Sequence, residues 1–270
     1  MLGGFDGLHI GHRQLVEEAK TLRKPIGVMT IIGGKADEGL FTLLEREEIF
    51  RLAGVDFVFA FSFSDIKNLS AQAFASLLQE NLQASAYICG DDFRFGAGAK
   101  GTPEILENAT HVRVETVKLL TVDGEKVSSG RVKKLLLEGD LERANLLLGE
   151  RFFLTGEVVA DRKIGRTIGF PTANIRYPAE KFQIKKGVYE TRVCVDGKEY
   201  KGITNFGARP TFDEPTELTE TYLDVFSGDL YGRKIKVEFV RFLREIVKFE
   251  SVEKLKEQLR EDTRRIREND

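Results

Sequence analysis

His9 and His12 are two of only three histidines in a chain of 270 residues. They stand three apart inside "GGFDGLHIGH" (3–12), with four glycines in the same ten residues. A helix starting near His12 would point unpaired N–H groups and a positive dipole end at this loop, which suits an anion. The glycines let backbone approach a phosphate closely. Both imidazoles could donate to phosphate oxygens and stabilise charge developing in a transition state. A purely structural turn accounts for such a loop equally well. A zinc site would need ligands beyond the two rings and nearby Asp6.

A second constellation lies in "DRKIGRTIGFPTANI" (161–175). Gly165 and Gly169 suit a loop over phosphates, and Pro171 opens the tetrad that ends at Asn174. If that tetrad is extended, Thr172 and Asn174 point the same way and can share one hard cation. Taken alone, they also read as turn residues after a proline. Glu220 taken alone is a solvated strand carboxylate. No Gly-x-x-x-x-Gly-Lys-Ser/Thr loop occurs in the chain, which excludes an ordinary P-loop.

These residues need elements to hold them. The first half alternates apolar runs at 26–32, 55–63, 86–90 and 111–117 with helical patterns. Leu15, Val16, Ala19 and Leu22 mark one helix face, stopped by Pro25. Thr42 and Glu45 form a capping box, and Ser70 caps a helix presenting Phe74, Leu77, Leu78 and Leu82. This alternation predicts a parallel sheet covered on both faces, with ligands at the carboxyl ends of its strands. "GDLERANLLLG" (139–149) is the last helix of the series. Beyond it come short strands separated by turn signals, among them Asp196-Gly197. They predict a small closed antiparallel barrel. A terminal helix from Ser251 carries Val252, Leu255, Leu259 and Ile266 as its apolar stripe. The domains are expected at 1–149 and 150–270.

A formal net charge of -2 argues against a protein that coats nucleic acid. Cys89 and Cys194 are far apart in apolar runs, so no disulfide framework is expected. No apolar run approaches the ~20 residues that span a bilayer, and the start lacks a secretory signal. The expectation is a cytoplasmic globular protein acting on small molecules, with no nucleic acid, membrane or obligate protein partner.

"FDGLHIGH" (5–12) resembles the bacterial bifunctional riboflavin kinase/FAD synthetases, within the nucleotidylyltransferase superfamily. "GDDFRFGAGAKG" (90–101) and "VSSGRVKKLLLEGDLERANLLLG" (127–149) resemble the same family's adenylyltransferase module. "DRKIGRTIGFPTANI", "NFGARPTF" (205–212) and "ETYLDVFSGDLYG" (220–232) resemble its riboflavin kinase module. The resemblance implies an α/β plus β architecture, with a Rossmann-like nucleotidylyltransferase domain followed by a β-barrel kinase domain. It implies that riboflavin is phosphorylated to FMN and FMN adenylylated to FAD, with ATP and Mg²⁺. By position, His9 and His12 bind the ATP phosphates, and Ser128 and Ser129 the departing pyrophosphate. Gly4, Phe5, Asp92, Arg94 and Lys133 complete the first substrate site. Thr172 and Asn174 hold Mg²⁺–ATP with Gly165, Gly169, Pro171 and Arg209 around them. Glu220 is the catalytic base of the kinase.

Three departures stand out. Only Met1 and Leu2 precede Gly3, where the family carries a full strand. Either the biological start lies upstream or the sheet is compromised. Gly33-Gly34-Lys35 replaces a Pro-His-Pro segment. The usual Ser-Ser-Thr-x-x-Arg reads Ser128-Ser129-Gly130-Arg131-Val132-Lys133, with Arg131 or Lys134 able to compensate. The alternative reading is a riboflavin kinase whose first domain has lost catalysis.

Overall fold

A computed structural model describes residues 1–33, 38–160, 169–207 and 218–268. Lys35, Gly165 and Arg209 therefore lie outside the described residues. The chain divides into two compact units. The first contains residues 1–133, 147–149 and 179–182; the second contains 134–146, 150–178 and 183–270.

In the first unit, β1 (Gly27–Ile32) pairs in parallel with β2 (Phe57–Ser62), and β3 (Tyr87–Gly90) with β4 (Val114–Val117). Residues 1–4 run between the two pairs. On one side, Met29 and Ile31 donate to the carbonyls of Met1 and Gly4. On the other, Leu2 donates to Ile88 O at 2.8 Å and bridges Cys89 in parallel. Of the two alternatives, a compromised sheet is corrected: the segment is short, yet it bonds to both neighbours. Leu2 is buried in the same core as Met29, Phe74, Leu78, Tyr87 and Leu106. The order β2–β1–(1–4)–β3–β4 reverses direction at residues 1–4. That is the switch point where open α/β sheets bind ligands, and the "FDGLHIGH" loop leaves the sheet there.

The helices follow their signals. Helix α1 (Ile10–Thr21) buries Leu15, Val16 and Ala19. Helix α2 (Leu43–Ala53) has both halves of the Thr42/Glu45 capping box. A single turn, α3 (Phe63–Ile66), precedes α4 (Ala71–Leu82), which is capped by Ser70 Oγ and buries Phe74, Ala75 and Leu78. Helix α5 (Pro103–Thr110) lies between β3 and β4, and the hairpin β5 (Thr121–Val122) and β6 (Glu125–Lys126) leads into α6 (Ser129–Glu138) and α7 (Leu141–Leu148).

The second unit is a closed antiparallel barrel in the order β10–β11–β8–β7–β12–β9. Its strands are β7 (Phe153–Val159), β8 (Thr172–Arg176), β9 (Gly187–Val195), β10 (Lys198–Phe206), β11 (Leu218–Leu223) and β12 (Lys234–Arg244). Asp196 and Gly197 turn β9 into β10 with φ of 52° and 79°, the mirror-image turn that right-twisted strands favour. Inside, the hydroxyls of Thr191, Thr204 and Thr221 form a chain of bonds at 2.8 and 2.9 Å, which satisfies these buried groups. The terminal helix α8 (Val252–Glu268) starts at the Ser251 cap, and Ile266 packs on Val188 and Ile203. The expected apolar stripe needs correction at its start, where Val252 is exposed. Buried Asp262, paired to Arg244 at 2.8 Å, does part of the anchoring instead. A charged residue carries no apolar signal, so periodicity could not show it.

Candidate active sites

In the first unit, the histidine loop is organised by its own short-range bonds. His9 is the N-cap of α1, and its Nδ1 accepts the His12 amide at 3.1 Å. The neutral His9 ring therefore carries its proton on Nε2, free to donate outward. His12 Nδ1–H donates to the Gly7 carbonyl at 2.9 Å, so its neutral ring keeps Nε2 as an acceptor, and the expectation that both imidazoles donate is corrected to His9 alone. The two rings stack with centroids 3.6 Å apart and planes 13° from parallel. Gly11 permits this, because a Cβ there would sit 3.2 Å from both Cε1 and Nδ1 of His9. The spacing His-x-Gly-His is thus a packing requirement as well as a chemical one. Burial lowers His9 to about 4, and burial plus the neighbouring ring holds His12 well below the usual histidine value. Both rings are neutral near pH 7.

The loop before them is held from beneath. Phe5 adopts a left-handed φ of 39°, a conformation costing on the order of 1–3 kcal/mol in a bulky residue. Its ring is buried and packs 4.4 Å from His12 and 6.3 Å from Phe50. Thr30 Oγ1 donates to Phe5 O at 2.9 Å and to Gly4 O at 3.2 Å. Buried Arg46 donates in turn to Thr30 Oγ1, Ile31 O and Phe41 O. Gly4 has open space where a Cβ would stand, so its backbone can face a ligand.

Two further predicted groups belong to this unit. Asp92 is paired with Lys126, while the exposed Arg94 donates to the Phe93 carbonyl at 2.7 Å. Ser128 Oγ accepts the Arg131 amide at 3.3 Å, and Ser129 opens α6. A capping hydroxyl accepts with a lone pair and keeps its proton to donate. Lys133 bonds Asp6 Oδ2 at 2.8 Å and the Glu38 carbonyl at 2.9 Å. Arg131 instead holds the β5–β6 hairpin, through the carbonyls of Val122 and Glu125. Sequence reasoning passed over Asp6 and Arg46 as site-building groups. The signal for Arg46 was a charge beside Ile49 and Phe50, one helical turn from the capping box.

In the second unit, β8 and β11 pair so that Asn174 lies directly opposite Glu220, and Thr172 opposite Tyr222. Directly opposed residues share a face, so Thr172, Asn174, Glu220 and Tyr222 are neighbours on one side of the sheet. Asn205 on β10 faces Glu220 from the other side and extends the row. It was not singled out from the sequence, although it opens "NFGARPTF". Asn174 is buried, and its Oδ1 has no hydrogen-bond partner among the described residues. An orphaned buried oxygen beside a hydroxyl and a carboxylate fits a hard cation. Gly169 has φ of 84°, Pro171 leads into β8, and the Phe170 ring packs edge-on to Tyr222 at 5.1 Å.

Comparisons with known proteins match two family models to successive parts of the chain. The FAD synthetase family model matches residues 1–131 and the riboflavin kinase family model residues 148–269. The bifunctional riboflavin kinase/FMN adenylyltransferase of Escherichia coli K12 is 35% identical, with 99% of this chain and 91% of that protein covered. The trifunctional protein RibF/MnmA of Mycoplasmoides gallisepticum is 34% identical over 97% of this chain, which spans 38% of that protein's length. A crystal structure of a macrolide-efflux protein from Streptococcus pneumoniae shares the fold at a TM-score of 0.86 and 30% identity, covering 98% of this chain and 92% of that one. Among the described residues no helix is long and apolar enough to cross a membrane. On family models and near-full-length identity together, the chain belongs to the bifunctional riboflavin kinase/FMN adenylyltransferase family.

Proposed function

We propose that the chain phosphorylates riboflavin to FMN in the second unit and adenylylates FMN to FAD in the first. The observation that carries the reading is the presence of both constellations in one chain: the stacked His9/His12 pair at the start of α1, and the Thr172/Asn174/Glu220 row on the barrel.

In the first reaction, the ribityl 5′-hydroxyl attacks the γ-phosphorus of ATP, its proton passes to Glu220, and ADP leaves. Thr172 and Asn174 are the oxygen ligands for Mg²⁺, with Asn174 Oδ1 supplying the unsatisfied atom. The ion neutralises charge on the ATP phosphates when bound. Gly165, Gly169, Pro171 and Arg209 are assigned to the same substrate site.

In the second reaction, an FMN phosphate oxygen attacks the α-phosphorus of ATP and pyrophosphate leaves. The nucleophile is already an anion, so this step needs donors more than a base. His9 Nε2–H and the first amides of α1 supply them at the histidine loop, where His12, its one proton donated to the Gly7 carbonyl, orients the stacked His9 ring. Ser128 and Ser129 at the start of α6 receive the pyrophosphate, with Gly4, Phe5, Asp92, Arg94 and Lys133 around the bound substrates. Free thiols at Cys89 and Cys194 support a reducing cytoplasm as the setting.

The test is product analysis of the purified chain with ATP and Mg²⁺. Riboflavin should yield FMN and then FAD, and FMN alone should yield FAD. Glu220→Gln should cut riboflavin phosphorylation by roughly 10²-fold or more while FMN adenylylation continues. Formation of FMN without any FAD would leave the kinase alone. Normal riboflavin turnover in the variant would remove Glu220 as the base.

A further inference from the structure

Residues 179–182 stand apart from their neighbours in sequence. They pack within the first unit, while 150–178 and 183–270 form the second. They also lie inside the span matched by the riboflavin kinase model, whereas the FAD synthetase match ends at residue 131.

The contacts of this strap are specific. Lys181 bridges Gly39 in parallel; the Gly39 amide donates to Glu180 O at 3.0 Å, and the Phe182 amide donates to Gly39 O at 2.7 Å. Gly39 must be glycine here, because a Cβ would overlap the Arg46 guanidinium and lie 2.9 Å from Phe41 O. Lys181 is fully buried, 4.4 Å above the Phe41 ring. Its Nζ donates to Glu45 Oε2 at 2.5 Å and to Leu40 O at 3.3 Å. Glu45 Oε2 also accepts the Thr42 amide at 3.0 Å, so the lysine is tied to the rigid start of α2.

The other side of the same loop faces the histidine segment. The Leu40 amide donates to Asp6 Oδ1 at 3.4 Å. Asp6 pairs with Lys133, which also holds Glu38 O and lies 5.3 Å over the Phe182 ring. Residues 38–42 are therefore clamped between the strap and the "FDGLHIGH" loop. Burying an ammonium costs several kcal/mol before its partners offset it, and an apolar side chain would fill the slot at lower cost. What the lysine adds is direction: it fixes a carbonyl and a helix start that set the height of the Asp6–Lys133 pair.

We propose that residues 179–182 complete the adenylyl-transfer site, with Lys181 the positioning residue that holds loop 38–42 against Asp6 and Lys133. The inference rests on the adenylyltransferase reading of the first unit. It extends the working unit beyond residue 131, through a strap drawn from the kinase half of the sequence.

The experiment uses the full chain. Lys181→Met removes the charge at similar length. Lys181→Met with Glu45→Gln removes both charges and keeps a capping-box residue on α2. In each, FMN adenylylation should fall about tenfold to a hundredfold in kcat/KM, the scale of a small misplacement of reacting groups. Riboflavin phosphorylation by the same sample should stay within about twofold, since its residues lie in the other unit. Amide exchange at residues 39–42 should accelerate, and that in the middle of α1 should not. In an Asp6→Asn background, Lys181→Met should add little, because both act through one loop. If the single variant does not fold, the charge-neutral pair carries the test. Unchanged adenylylation in the neutral pair overturns the proposal, and so does an effect fully additive with Asp6→Asn. If the unaltered chain makes no FAD, the adenylyltransferase reading fails. Exchange at residues 39–42 then still decides the strap, and unchanged exchange overturns it.

Discussion

At the scale of single residues, the stacked histidines tie function to stability. Each ring accepts or donates one backbone bond and turns its other nitrogen outward. That arrangement works with neutral rings, and burial keeps them neutral. The cost appears at low pH. His9 has a folded-state value of about 4 against 6.5 in the unfolded chain. Between those values the unfolded state binds more protons, so stability rises with pH through that window and levels off above it. The difference corresponds to roughly 3 kcal/mol from His9, and His12 acts in the same direction. The protection factors of α1 amides, exchange rates referred to the intrinsic rate at each pH, should therefore fall as pH drops from 6.5 to 4. His9→Asn keeps an N-cap acceptor and removes one titrating ring, so it should flatten this dependence. An unaltered slope in that variant would assign the acid sensitivity elsewhere. Gly11→Ala probes the same pair by packing: a Cβ 3.2 Å from the His9 ring makes that ring shift by a few tenths of an ångström against His12. FMN adenylylation should drop by about 10²-fold or more, the scale of losing a transition-state donor, with riboflavin phosphorylation unaffected.

At the scale of elements, α2 shows both what sequence makes legible and where it stops. Its start was readable because a capping box is a local bond pattern, and both bonds are present. Thr42→Ala should cost about 1 kcal/mol in the stability of the first unit, measured by denaturant unfolding of the full chain. Breaking the buried Glu45–Lys181 pair from one side should cost more, about 3–5 kcal/mol, because a charge is left without its partner. Nothing local announced that pair, whose members stand 136 residues apart. Strands of the first sheet were legible as apolar runs, and the Asp196-Gly197 hairpin as a turn dipeptide, since each depends on near neighbours. The Asn174–Glu220–Asn205 row was legible only in part. It depends on register across three strands, and period-2 patterning gives the face of a strand but not its partner. At residues 1–4 a residue count gives the length of a segment but not its bonds, and these few residues pair with the strands on both sides.

At the scale of the whole molecule, each proposed site is built within its own unit. The histidine loop, Asp6, Lys133 and the strap at 179–182 belong to the first, and Thr172, Asn174, Asn205 and Glu220 to the second. The intermediate common to the two reactions is FMN, a small anion that water solvates well. Two sites built on separate units should exchange it through solution. Glu220→Gln should make FAD from FMN but little from riboflavin. A chain with His9→Asn and His12→Asn should make FMN from riboflavin and stop there. Mixing the two proteins with riboflavin, ATP and Mg²⁺ should restore FAD, after a lag that shortens as either protein is increased, because released FMN must accumulate before the second site turns over. The measurement is chromatographic separation of the three flavins over time. Absence of FAD in the mixture, with each variant retaining its own single reaction, would mean that FMN does not pass freely between molecules. Restoration with no lag at low protein concentration would point to association of the two variants. The lag separates these outcomes because diffusion of a released product depends on the concentration of the receiving enzyme, and transfer within one assembled molecule does not.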